Sequence, residues 1–380
     1  MHARNTVRYY VLLVVFLLFL FFTNDFGLLN IQKTAIVTAV AIDKEETEFV
    51  LTAQIAVPTA SSGGGGGAKQ SGSGGSENFA TVEGRGATVA AALDEVNAKT
   101  GWYPKLVFCN LIICGEELAK GNVFDALDFF LRDEYAKDSC LVTACDGKAG
   151  ELLGAKTPLG NSAGLAIEKV LSDHAKRLGT AFPATLREFA SGYFGSAKSG
   201  YLPLLKKQTS ENGELFEAGS TGLFVDGKRV GELTKEETFT LSAVKNDLRL
   251  ADYVVPFKDE VCVLSIKQNK AQMKLSVEDG EPRMRLTLRL YAGMQDASRS
   301  YPVTEIADAG DIPDGLFAVA EERMKGEVTA LFEKCRALNF DVFDALEMLQ
   351  KYESKHFDTQ KDSLTERLQL SVEVRFGDFR

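Results

Sequence analysis

The sequence has 380 residues, 45% of them apolar and 25% charged, with a formal net charge of -10. That length and balance suit two or three folded domains and exclude a chain dominated by disorder. The acidic balance and the lack of a long basic run argue against nucleic acid as a partner, and against a body lying flat on anionic lipid.

The first element is apolar. Val7 to Phe22, "VRYYVLLVVFLLFLFF", carries one charge, Arg8. Tilt, or the following Phe26, Leu28 and Leu29, extends it toward the roughly 20 residues a bilayer requires. Arg4 and Arg8 precede it and Asp25 follows, so the positive-inside rule predicts a cytoplasmic N-terminus and an outside body. No small-x-small site follows Phe22, and the first cysteine is Cys109. The reading is therefore an uncleaved single-pass anchor in a cell membrane, not a signal peptide or a lipoprotein. "TAIVTAVAIDK" and "EFVLTAQIAVP" then predict two strands around a polar turn at Asp43 to Thr47. "TASSGGGGGAKQSGSGGSENF" follows. Lys69 sits between Ala68 and Gln70 and no helix comes next, so the phosphate-loop pattern fails. The tract reads as a flexible tether, an insertion over residues 60–77.

"FATVEGRGATVAAALDEVNAKTG" predicts a strand, a glycine turn and a helix with Val89, Leu93 and Val96 on one face. "LVFCNLIICG" predicts a strand. "NVFDALDFFLRD" predicts a helix burying Phe124, Leu127, Phe130 and Leu131, and "CLVTACDG" another strand. Apolar strands alternating with helices predict a mixed sheet with helices packed on it. Residues 162–178 read as helical, Thr185 caps a helix through Tyr193, and "SGYFGSAKSGYLP" reads as a linker. Asp226-Gly227 predicts a hairpin, and Thr234 with Glu237 a capping box. Met284, Leu286, Leu288 and Leu290 alternate with Arg283, Arg285, Thr287 and Arg289, which predicts a half-buried antiparallel strand. Helices over about residues 316–337 and 341–352 follow. A closing strand with Leu368, Leu370, Val372, Val374 and Phe376 alternating is expected beside the earlier ones.

Chemistry-bearing motifs are sparse. Cys109, Cys114, Cys140, Cys145, Cys262 and Cys335 include two C-x4-C spacings, read as buried free thiols, with Cys109 and Cys114 on opposite faces of one strand. His2, His174 and His356 form no metal-binding or triad motif. No catalytic residue, metal ligand or cofactor site is assigned. Carboxylate pairs such as Glu116-Glu117 and Glu321-Glu322 keep an alternative open: an anchored extracytoplasmic hydrolase of cell-wall glycan, or a glycan-binding module. Arg132 and Asp133 predict a helix-to-strand corner held by an ion pair rather than a ligand contact.

Taken in order, several segments resemble the C subunit of bacterial spore germinant receptors, the Ger(x)C or GerAC family. They are "TAIVTAVAIDK...FVLTAQIAVP", "LIICGEELAKGNVFDALDFFLRDEYAKDSCLVTACDGKAGELL", "STGLFVDGKRVGELTKEET", "FDVFDALEMLQKY" and "LQLSVEVRFGDFR". The likeness spans about Ala35 to Arg380. This chain departs from the family in lacking a lipobox cysteine, so the helix Val7 to Phe22 would replace the lipid. The resemblance implies an α+β protein: a membrane helix, then three small mixed-sheet domains with helices packed on them. The expected divisions are residues 1–29 (tail and anchor), 30–205, 206–260 (hairpin plus helix) and 261–380. It further implies the outside of the spore inner membrane, a non-enzymatic role, and a complex with two multi-pass subunits of A and B type. Glu232 and Glu237 then read as turn and capping residues. With Arg132 and Asp133 they are the candidate interaction residues.

Overall fold

The computed structural model describes residues 12–17, 34–57, 79–160, 162–298 and 312–378. Residues 12–17 are helical and exposed; the rest of the expected anchor, and the glycine tract, lie outside the described residues. No helix among the described residues is long and apolar enough to cross a membrane.

The strands, in chain order, are β1 (Thr34–Glu45), β2 (Glu48–Ala56), β3 (Phe79–Gly86), β4 (Tyr103–Lys105), β5 (Leu111–Cys114), β6 (Leu141–Cys145), β7 (Ala184–Thr185), β8 (Ser199–Ser210), β9 (Gly213–Val225), β10 (Lys228–Leu233), β11 (Ala251–Phe257), β12 (Glu260–Glu278), β13 (Glu281–Ala297) and β14 (Gln369–Asp378). The first ten make one sheet, ordered β10-β9-β8-β6-β5-β1-β2-β3, with β4 on β1 and β7 on β6. Its centre, β8-β6-β5-β1, is parallel, and antiparallel strands flank it on both sides.

Helices cover both faces of that sheet, which is why its central strands read as near-continuous apolar runs. On one face lie α1 (Val89–Thr100), α2 (Glu116–Lys120), α3 (Phe124–Arg132) and, later in the chain, a helix at Leu186–Phe194; they pack on Val40, Ile42, Ile112 and Val142. On the other lie α4 (Ala149–Leu153) and α5 (Ala163–Val170), against Ala39, Ala41, Leu111 and Ile113. The helix expected over residues 162–178 is broken at Leu171-Ser172 into α5 and α6 (Asp173–Leu178). The expected linker is instead the end of α7 (Leu186–Phe194) and the start of β8. Its small residues serve close packing: a Cβ on Gly192 would lie 2.1 Å from the Ser199 carbonyl oxygen. The strand expected from "LVFCNLIICG" is shortened by a 3-10 turn at Leu106–Phe108.

The smaller sheet, β11-β12-β13-β14, follows the predicted alternation. Met284, Leu286, Leu288 and Leu290 are buried and Arg283, Arg285 and Arg289 exposed. β13 is antiparallel to β12 and parallel to β14, so the closing strand takes the sheet edge. The buried face packs on α8 (Lys235–Val244) and α9 (Leu316–Ala337), with α10 (Ala345–Tyr352), α11 (Ser354–Gln360) and α12 (Leu364–Arg367) closing the end. Of residues 206–260, the hairpin β9–β10 extends the large sheet, turning through Asp226 and Gly227, both at positive φ (48° and 75°). α8 begins at the predicted capping box of Thr234 and Glu237. It buries Leu241 and Val244 in the smaller sheet's core.

Candidate functional site

The carboxyl ends of β1, β5 and β6 lie together, the position where open α/β sheets place ligands. A cleft of about 360 Å³ opens there, lined by Asp43, Glu45, Thr52, Arg85, Lys148 and Glu151 among others. Asp43 was expected in a turn; it is instead the buried end of β1. Its Oδ1 accepts from Ala149 N–H at 2.8 Å and its Oδ2 from Gly150 N–H at 2.9 Å, which ties β1 to the start of α4. Gly115 permits this approach, since a Cβ there would lie 1.9 Å from Asp43 Oδ1. Burial pushes the Asp43 carboxyl up, opposed by those two backbone N–H groups.

Two residues on, Glu45 faces solvent and behaves oppositely. Its Oε1 meets Lys148 Nζ at 2.8 Å and its Oε2 meets Arg85 Nη1 at 2.6 Å. Lys148, then Arg85, hold its carboxyl down at about 2. Nearby, Glu116 accepts from Gly147 N–H and Arg229 pairs with Asp146, both at 2.8 Å. All four oxygens of Asp43 and Glu45 thus accept bonds from the chain itself. The arrangement fastens strand ends together, and its charges are matched within the molecule.

The amino ends of the same strands are built differently. Thr34, where β1 begins, is in register with Tyr103 of β4. Tyr103, Val107, Phe108 and Tyr135 are each between 38% and 56% exposed around this point, and Trp102 is half-buried beside them. Lys105 is buried, with its Nζ 4.8 Å from the Tyr103 ring centre and 3.9 Å from that of Tyr135. Lys137 Nζ stands 5.9 Å from the Phe108 ring. The result is an open end of rings and lysines with Asp94 and Asp133 beside them, an amphipathic combination suited to an interface.

The four residues singled out from sequence do not converge. Arg132 pairs with Asp128 at 2.6 Å, one turn back, and not with Asp133. Asp133 Oδ1 accepts from Tyr135 N–H (2.8 Å) and Ala136 N–H (3.0 Å), closing the corner after α3 as a local turn. The expected Arg132–Asp133 ion pair is thus corrected: the i,i+4 partner is reached more easily along the helix face. Glu232 is exposed on β10 opposite Gly222. Glu237 completes the capping box and also meets Lys334 of α9 at 2.6 Å.

All six cysteines are buried and free. Cys109 lies outside β5, and it packs in the same core as Cys114, on one face rather than two. Burial pushes both thiols up to about 12, which keeps them protonated and unreactive. Among the described residues no three His, Cys, Asp or Glu side chains gather as metal ligands.

Comparison with known proteins returns one consistent set. The profile of the family described as "Spore germination protein N-terminal domain" matches residues 29–207, and that described as "Spore germination B3/ GerAC like, C-terminal" matches residues 219–376. Spore germination protein B3 of Bacillus subtilis (strain 168) is 25% identical over 284 residues, covering 73% of this chain and 72% of that protein. The putative spore germination protein YfkR of the same strain is 20% identical over 270 residues, covering 69% and 68%. The crystal structure of the GerBC protein superposes with a TM-score of 0.57 at 17% identity, covering 90% of this chain and 97% of that one.

Proposed function

The chain belongs to the Ger(x)C family of spore germination proteins, and from that premise we propose that it is a membrane-anchored, non-enzymatic subunit of a nutrient germinant receptor. Its partners in this reading are two multi-pass membrane subunits of A and B type in the spore inner membrane. The observation that carries the reading is the pair of family matches, in order, over nearly the whole body of the chain.

The anchor is the apolar run Val7 to Phe22, with the N-terminus in the cytoplasm and the body outside. Geometry supports this orientation. The chain enters the body at Thr34, at the same end as the exposed rings of Tyr103, Phe108 and Tyr135. Aromatic residues with lysines among them favour the headgroup level of a bilayer. This end faces the membrane, and the charged carboxyl ends of the strands face away.

The rival reading is a cell-wall glycan hydrolase. Its best pair would be Asp43 and Glu45, whose carboxyls are shifted in opposite directions beside one cleft. Their oxygens are already engaged with the chain, which disfavours acid and base work. Deleting the gene in its source spore former tests both readings. Loss of the nutrient response is expected. Normal germination with every nutrient, where no paralogue is present, would reject the receptor role. Peptidoglycan cleavage by the purified protein that is lost in Glu45→Gln would favour the rival.

A further inference from the structure

The two sheets meet along a seam, and a cleft of about 630 Å³ opens there. One wall is α6, from the first half of the chain. The other is the segment between α8 and β11 with a residue of β12. Four cations line it, Lys176, Arg177, Arg249 and Lys267, against one carboxylate, Asp247. In a chain of net charge -10 this is a local reversal of sign.

Arg249 is held in a defined pose. Its Nη1 donates to the carbonyls of Leu248 (2.7 Å) and Asn246 (3.3 Å) and to Asn269 Oδ1 (3.2 Å). Asn269 is itself only 1% exposed and is fixed by donating to the Ala243 carbonyl. The Arg249 backbone N–H donates to the Arg177 carbonyl at 2.7 Å, which joins the two walls. Nη1 is thereby spent, while Nε and Nη2 meet no acceptor among the described residues. That edge is the two-pronged fork that matches a carboxylate or phosphate.

The loop carrying Arg249 is strained. Asn246 and Leu250 both lie at positive φ, 69° and 62°. A leucine adopts this conformation only where its surroundings impose it, and such outliers gather at ligand clamps. The one carboxylate, Asp247, reaches Lys176 at 3.5 Å; burial pushes its carboxyl up, opposed by Lys176 and Arg249.

We propose that this seam cleft binds a small multivalent oxyanion, phosphate or carboxylate in kind, gripped by the Arg249 fork and surrounded by Lys176, Arg177 and Lys267. The volume suits a small molecule, and the walls suit a polar one, since among the described residues Leu250 is the only large apolar one lining it. A ligand there touches both halves of the chain. The inference does not rest on the germination reading.

Calorimetric titration of the full chain in detergent, at low salt, tests it with three probes: sodium pyrophosphate, citrate, and dihexanoyl phosphatidic acid below its micelle threshold. One site per chain is expected, weakening as salt is added. Arg249→Lys should bind roughly tenfold more weakly, because an ammonium cannot offer the fork. Lys267→Ala should weaken binding by about threefold through lost charge, without touching the strained loop. It keeps the test valid if Arg249→Lys disturbs the loop. Lys274→Ala, further along β12, should bind normally. Binding of the short lipid alone, weakened by Lys267→Ala, would support the same chemistry with a lipid headgroup as its source. No binding of any probe at millimolar concentration, or equal binding by all variants, would overturn the proposal.

Discussion

The two ends of the central parallel strands invite comparison. At the carboxyl ends, Asp43, Glu45, Glu116 and Asp146 are each met by groups far along the chain: Ala149 and Gly150, Lys148 and Arg85, Gly147, and Arg229. At the amino ends, Tyr103, Phe108 and Tyr135 keep much of their surface in solvent. The same strands thus finish in a closed lock on one side and an unspent surface on the other. Removing a buried, hydrogen-bonded carboxylate strands its partners and costs far more than removing an exposed ring or an exposed ion pair. The closed end should therefore be read as architecture, and the open end, in the proposed orientation, as the surface turned to the membrane.

The largest effect expected is from Asp43→Ala. It leaves the Ala149 and Gly150 N–H groups without their acceptor in a buried place, at a cost of about 2–4 kcal/mol in urea unfolding. A loss no larger than a surface change would break the comparison. Gly115→Ala comes next. Its Cβ would press on Asp43 Oδ1, and about 1–3 kcal/mol is expected from the forced shift. The double variant with Asp43→Ala should cost less than the sum, because the clash disappears with the carboxylate.

The two carboxyls at this end also separate by pH. Glu45 is held below its usual range, so its contribution is present above about 4.5 and is lost as pH falls toward about 2. Asp43 is raised, so it favours the fold at low pH and loses that contribution as pH rises through its folded value. Glu45→Gln should flatten the acid limb of a stability-against-pH curve between about 4.5 and 2, and an unchanged limb would remove Glu45 from the lock. The smallest change in stability belongs to the open end. Val107→Ser with Phe108→Ser should leave the free energy of urea unfolding within about 0.5 kcal/mol of the parent. A larger loss would mean these side chains are core, and that the two ends are alike.

Much of this was legible in the sequence, and the failures share a cause. The Asp226-Gly227 hairpin, the Thr234–Glu237 capping box and the alternation of β13 are local signals, and each formed where local chemistry put it. Asp43 reads locally as a turn residue because its partners lie 106 and 107 residues away, beyond any local pattern. The run from Ser191 to Pro203 looked like a linker because small residues suit loops. Here they suit close packing of α7 on β8. Arg132 and Asp133 are neighbours in sequence, yet side chains on a helix meet three or four residues apart. The seam cleft had no local signature, since Lys176, Arg249 and Lys267 are joined only by the packing of two halves.

What this body is attached to decides the receptor reading. Affinity capture of the protein from the spore inner membrane in mild detergent, read by mass spectrometry, tests it most directly. The receptor reading predicts recovery of two multi-pass membrane chains in company with it. Recovery of the protein alone, from membranes in which those chains are present, would contradict that reading.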